Sequence, residues 1–157
     1  MRLYFMRHAI AHDADENTPD EKRELTDKGI ANTHQAARVL KALGLKPTHI
    51  YSSPLVRAHE TAEIVSKALG VEVEVRKEVG PGFSIHAVEV LTRDLGEDTE
   101  VLFVGHEPDF STTISSLSGG RILMKRGGLA RIDIISLQPL LGELVWLIAP
   151  KIFEEFG

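Results

Sequence analysis

The chain has no cysteine. That excludes disulfides, thiolate metal sites and a cysteine nucleophile, and it is compatible with a reducing compartment. A basic excess is missing too. Eighteen Lys and Arg stand against 23 Asp and Glu, a net charge of -5, which argues against general nucleic-acid binding but leaves room for a small basic pocket. No apolar run approaches the ~20 residues of a membrane span. The apolar residues between Arg2 and Arg7 are too few for a signal-peptide core. Aromatic residues are sparse at 6%, while 43% hydrophobic and 26% charged residues are ordinary for a globular protein. The expectation is a single cytoplasmic domain over residues 1–157, without nucleic-acid or membrane partners and large enough to bury a sizeable core.

What is present is an alternation of apolar strands and amphipathic segments. Residues 2–7 read as a buried strand. Ala9 to Asp27 is polar and acidic and reads as a solvated loop, with one helical turn over Thr18-Pro19-Asp20-Glu21 as the alternative. Ile30, Ala37, Leu40 and Leu43 recur at helical spacing over residues 27–43, and Gly44 ends the helix. Thr48 to Ser52 reads as the second strand. Ser53-Pro54 has the form of an N-cap and a first-turn proline, opening a helix that runs to Leu69.

Val71, Val73 and Val75 alternate as a half-buried strand, and Gly80-Pro81-Gly82 is a turn. Ile85 to Leu95 gives a short helical face, Val101 to Val104 a continuous apolar strand, and Pro108 the start of a helix to Leu117. Three strands then follow, over residues 122–124, 130–136 and 144–149. The pattern predicts an α/β three-layer sandwich, a mainly parallel sheet with helices on both faces and a C-terminal β meander.

In open α/β sheets the ligand lies beyond the carboxyl ends of the strands. Arg7 and His8, Ser52, Ser53 and Arg57, and His106 follow three separate predicted strands, so all of them can face one crevice. Arginine suits a phosphoryl dianion because its planar fork binds two oxygens, and a helix start beside Arg57 adds N–H donors. His8 attacks phosphorus only through a neutral ring nitrogen, which its ordinary pKa near ~6.5 allows. Attack would give a covalent phosphohistidine, with His106 as donor to the equatorial oxygens. His12, His34, His49, His59 and His86 are read as structural or surface residues. His8 and His12 lack the helical His-Glu-x-x-His signature, and no Gly-x-x-x-x-Gly-Lys-Ser/Thr loop is present.

The motifs Arg7-His8-Ala9, Leu25-Thr26-Asp27-Lys28-Gly29, Ser52 to Ala62 and Val104-Gly105-His106-Glu107-Pro108 resemble the histidine phosphatase superfamily (phosphoglycerate mutase-like). Within it, the short chain resembles the small SixA-type phosphohistidine phosphatases. The resemblance implies His8 as phosphorylated nucleophile, Arg7, Arg57 and His106 around the phosphate, and no metal or organic cofactor; Ser53, at its strand end, is a further candidate phosphate ligand. Two departures stand out. Arg-His-Gly of the family is Arg7-His8-Ala9, and Arg-Pro-Leu-Thr is Arg23-Glu24-Leu25-Thr26, which leaves the role of Arg23 open. An acidic proton donor has no motif to mark it; Glu78 lies in the corresponding region.

The expected activity is removal of phosphoryl groups from protein phosphohistidine through His8. The alternatives are a phosphatase, or less readily a mutase, for small phosphate esters, and a non-catalytic phosphate-binding module.

Overall fold

The structure, a computed structural model, describes residues 1–157. Its sheet has six strands in the order β3-β2-β4-β1-β5-β6. The strands are β1 (Arg2–Arg7), β2 (His49–Ser52), β3 (Val73–Val75), β4 (Glu100–Gly105), β5 (Leu129–Leu137) and β6 (Leu140–Ile148). The first four are parallel to one another; β5 runs antiparallel to β1, and β6 antiparallel to β5. The helices are α1 (Asp27–Ala42), α2 (Val56–Leu69), α3 (Ile85–Thr92), α4 (Asp109–Ser118) and α5 (Pro150–Phe156). No helix is long and apolar enough to cross a membrane.

The apolar runs of β1 and β4 have both faces covered, as parallel strands require. Side chains alternate across the sheet. Leu3, Phe5, Val101 and Phe103 point into one core with α3 and α4, while Tyr4, Met6, Leu102 and Val104 point into a second with α1, α2 and α5. The protein is therefore a three-layer α/β sandwich. Its few aromatics are concentrated: Phe5, Phe83, Phe103 and Phe110 meet in the first core with ring centroids 5.0–6.1 Å apart. Gly105 ends β4 where a Cβ would run into the Phe110 ring and the Val79 carbonyl. The glycine thus lets α4 pack hard against the strand end.

Several expectations change in detail. Residues 122–124 form no strand, so β5 and β6 make a two-stranded hairpin rather than part of a longer meander. Two bulges in the hairpin turn Ile135 and Val145 outward. The second helix starts at Val56 instead of Pro54: Leu55 is extended and takes the cap position, and Ser53 Oγ accepts from Leu55 N–H ahead of the first turn while also meeting His106. Residues 20–22 form a short 3-10 turn, with no side-chain cap from Thr18. The terminal helix α5 had no counterpart in the sequence reading. It buries Phe153 against the second core, alongside α1.

Candidate active site

Strand register places the site. Arg7 pairs with Gly105 and Ser52 with Val104. The ladder runs one residue further on both sides of β4, where His8 N–H donates to the Gly105 carbonyl and Ser53 N–H to the Val104 carbonyl, each at 3.0 Å. Three neighbouring strand ends therefore deliver His8, Ser53 and His106 side by side. The His8 and His106 rings lie 5.4 Å apart, centroid to centroid. Both rings are buried, as is Arg57.

His8 is held in one tautomer. Its Nδ1 lies 2.7 Å from the Ala9 carbonyl, which only accepts, so Nδ1 carries the proton and Nε2 keeps its lone pair. Burial above all, then His106, Arg57 and Arg7, pushes its pKa down to about 3. The ring is neutral at physiological pH. Arg57 Nε–H donates to His8 Nε2 at 3.3 Å, so a cation stands directly on the nucleophilic face of the imidazole.

The backbone after His8 is set by its neighbours and needs no glycine. Ala9 is buried, no non-glycine residue has a positive φ, and Ala9 N–H donates to Thr61 Oγ1 at 3.1 Å. Thr61 in turn donates to the Arg57 carbonyl at 2.8 Å, tying the nucleophile to the helix that carries its cation. The Leu25–Gly29 motif fixes the same segment from the other side. Thr26 caps α1 by accepting from Gly29 N–H, and Thr26 N–H donates to the Ile10 carbonyl. Gly29 passes so close to Ile10 that a Cβ would not fit.

His106 has one ring nitrogen on Ser53 Oγ, Nε2 at 2.7 Å, while its Nδ1 is buried with no hydrogen-bond partner. Burial and the Arg57 charge lower its pKa to about 4. Arg7 spends Nη1 on the Met124 carbonyl at 3.0 Å, and its Nε is buried and unpaired. Burial lowers its pKa, opposed by the Glu107 carboxylate; a guanidinium stays charged regardless. The site thus offers a neutral nucleophilic nitrogen, two guanidinium groups and a second imidazole, with few carboxylates to compete for an anion. That is a constellation for phosphoryl groups.

Glu78 makes no hydrogen bond to His8, Arg57 or His106. It sits in the 3-10 turn Lys77–Val79, where its Oε1 accepts from Arg76 Nη2 at 3.4 Å and its Oε2 is buried without a partner. A hydrogen bond from its own backbone N–H, helped by Arg76, holds its carboxyl below the usual range. An ionised, ion-paired carboxylate is in the wrong state to donate a proton. His12, His34 and His86 are exposed; His49 contacts Thr48 and Tyr51, and His59 contacts Glu63.

Sequence reasoning missed Asp20. The acidic loop reads as solvated, yet Arg57 donates twice to Asp20: Nη1 to its carbonyl at 2.8 Å and Nη2 to Oδ2 at 3.2 Å. Arg23, whose role was open, donates to the other carboxylate oxygen of Asp20 at 2.9 Å and to the His12 carbonyl. The only signal in the sequence was the i, i+3 spacing of Asp20 and Arg23, which fits many surface ion pairs.

Comparison with known proteins gives the family. Residues 3–80 match the model of the histidine phosphatase superfamily (branch 1). An uncharacterized protein of Picosynechococcus sp. is 36% identical, covering 96% of this chain and 98% of its own length. Among solved structures, the protein histidine phosphatase SixA complexed with tungstate superposes with a TM-score of 0.85 at 23% identity, over 97% of this chain and 99% of that one. A mycobacterial glucosyl-3-phosphoglycerate phosphatase superposes at 0.73 and 19% identity, over 92% and 96%. At such identities these two structures speak for the fold alone. With that fold, the matching family model and the strand-end His8–Arg57–His106 cluster, the chain belongs to the histidine phosphatase superfamily and is an enzyme of the phosphatase type.

Proposed function

We propose that the protein removes phosphoryl groups from protein-bound phosphohistidine through a covalent intermediate on His8. The observation that carries the reading is the state of His8: buried, neutral, with Nδ1–H on a carbonyl and Nε2 facing the Arg57 guanidinium. Such a nitrogen attacks without first losing a proton, once the phosphoryl oxygens draw Arg57 Nε–H off its lone pair. Attack forms a bond from Nε2 to phosphorus and breaks the bond from phosphorus to the substrate imidazole. That leaving imidazole takes its proton from solvent. Water then attacks the phosphoryl group on His8, releasing inorganic phosphate and the neutral ring. Arg7 and Arg57 hold the equatorial oxygens, and the free nitrogen of His106 contributes a donor as charge builds.

The choice of leaving group rests on Glu78. An alkoxide leaves with difficulty, and a placed general acid is typically worth ~10²–10⁴-fold in rate. Phosphohistidine needs no such acid, and here the one carboxyl in the expected region is ionised and held by Arg76. Small phosphate esters are therefore the poorer substrates.

The test is direct. Rapid mixing with a labelled phosphohistidine peptide, quenched without acid, traps one phosphoryl group on His8, labile in acid and stable in base. His8→Ala traps none and turns over none. A His8→Ala protein that keeps more than a few per cent of the wild-type rate removes His8 from the role.

A further inference from the structure

The loop between β1 and α1 is closed at its base by a bridge between Ala11 and Leu25, by His12 N–H on the Glu24 carbonyl and by Thr26 N–H on the Ile10 carbonyl. Within it the 3-10 turn Asp20–Lys22 fixes Asp20. Its carbonyl accepts both Arg23 N–H and Arg57 Nη1, and its carboxylate bridges Arg23 Nη1 and Arg57 Nη2. The Asp20 side chain is 59% exposed, whereas that of Arg57 is 8% exposed. An anion at the surface is thus used to hold a buried cation.

A guanidinium has five N–H donors arranged in a plane. Asp20 takes one on Nη1 and one on Nη2, and His8 takes Nε–H. Held from its outer side, the fork turns its Nε edge, with the second Nη2 proton, toward His8. That is the edge able to bind two phosphoryl oxygens at once. We infer that Asp20 is a positioning residue that sets the orientation of Arg57, and that Arg23 acts on the pocket through Asp20. The inference rests on Arg57 being a phosphate ligand. It gives Arg23 a role in which it touches no phosphate, since its side-chain hydrogen bonds go to Asp20 and the His12 carbonyl.

Positioning has consequences that loss of structure does not. With p-nitrophenyl phosphate as substrate, Asp20→Ala lowers kcat roughly 10- to 100-fold, the scale on which misplacing a catalytic group acts. Inorganic phosphate, used as a competitive inhibitor, binds Asp20→Ala no more weakly than wild type, because a negative charge beside the anion site has been removed. Asp20→Asn keeps the shape and falls in between. Arg23→Ala lowers kcat in the same direction, and the double variant Asp20→Ala/Arg23→Ala is no slower than Asp20→Ala alone. Groups acting through one contact do not add.

A second readout does not depend on turnover. In ¹⁵N–¹H spectra the Arg57 Nε–H, assigned by its loss in Arg57→Lys, shifts or broadens in both Asp20 variants. An unchanged Arg57 resonance with unchanged kcat overturns the inference. So do single-variant losses that multiply in the double variant, which would place Arg23 directly on the substrate. A perturbed resonance in a protein that hydrolyses nothing supports the positioning by Asp20 and counts only against the phosphatase reading.

Discussion

At the level of single residues, the neutral, Nδ1-protonated state of His8 comes from where it is buried and what its Nδ1–H meets. A free histidine titrates near ~6.5; His8 is carried down to about 3, first by burial and then by His106, Arg57 and Arg7. The expected outcome of ¹⁵N NMR on His8 is an Nδ1–H tautomer that persists unprotonated from pH 7 to pH 5. Protonation near pH 6.5 would contradict it. The arginines carry a different prediction. Arg7→Ala or Arg57→Ala costs on the order of 2–4 kcal/mol of transition-state stabilisation, or roughly 30- to 1000-fold in kcat/KM. Lysine restores only part, because it cannot bind two oxygens in a plane. Full activity in Arg57→Lys would mean that charge alone suffices. Ser53→Ala removes one neutral hydrogen bond from His106, worth about 0.5–1.5 kcal/mol or roughly two- to tenfold in rate.

At the level of elements, β1, β2 and β4 matter because their register sets three side chains abreast, and that part was readable in advance. Arg7-His8, Ser52-Ser53 and Gly105-His106 each close an apolar run, and parallel strands end on one side of a sheet. Contacts across long sequence distances were not readable. Asp20 meets Arg57 only because the loop folds back over α2, and nothing in a polar, acidic stretch distinguishes the one residue that does so. Ser53 reads as an N-cap; its Oγ does accept from Leu55 N–H just ahead of α2, but it also meets His106 Nε2, a second partner that only tertiary structure supplies. Residues 122–124 have strand-like composition, but Met124 spends its carbonyl on Arg7 rather than on a ladder. Helix α5 is too short to show a period, and one residue, Phe153, accounts for most of its burial. Phe153→Ala should cost about 3–5 kcal/mol in urea unfolding, while kcat of the folded protein stays close to wild type. A change within 1 kcal/mol would show that α5 is dispensable to the second core.

At the level of the whole molecule, the buried imidazoles set a cost against acid. The folded values of His8 and His106, about 3 and about 4, lie below the unfolded one. Between those values and ~6.5 the unfolded chain binds more protons, so stability rises with pH across the window. The contribution is intact above ~6.5 and is lost as pH falls toward 4 and 3. Urea midpoints measured from pH 7 to pH 4 should therefore fall more steeply for wild type than for His8→Ala. Parallel curves would mean that His8 is not depressed.

The sandwich itself does not choose a substrate, since it superposes on both a protein histidine phosphatase and a glucosyl-3-phosphoglycerate phosphatase. The choice falls to the leaving group and the state of Glu78. The decisive measurement is kcat/KM for a phosphohistidine peptide and for a sugar phosphate, in wild type and in Glu78→Gln. The account predicts a marked preference for the phosphohistidine peptide, with Glu78→Gln nearly silent on it. Equal or better use of the sugar phosphate, together with a large loss in Glu78→Gln, would contradict it and make the protein an ester phosphatase.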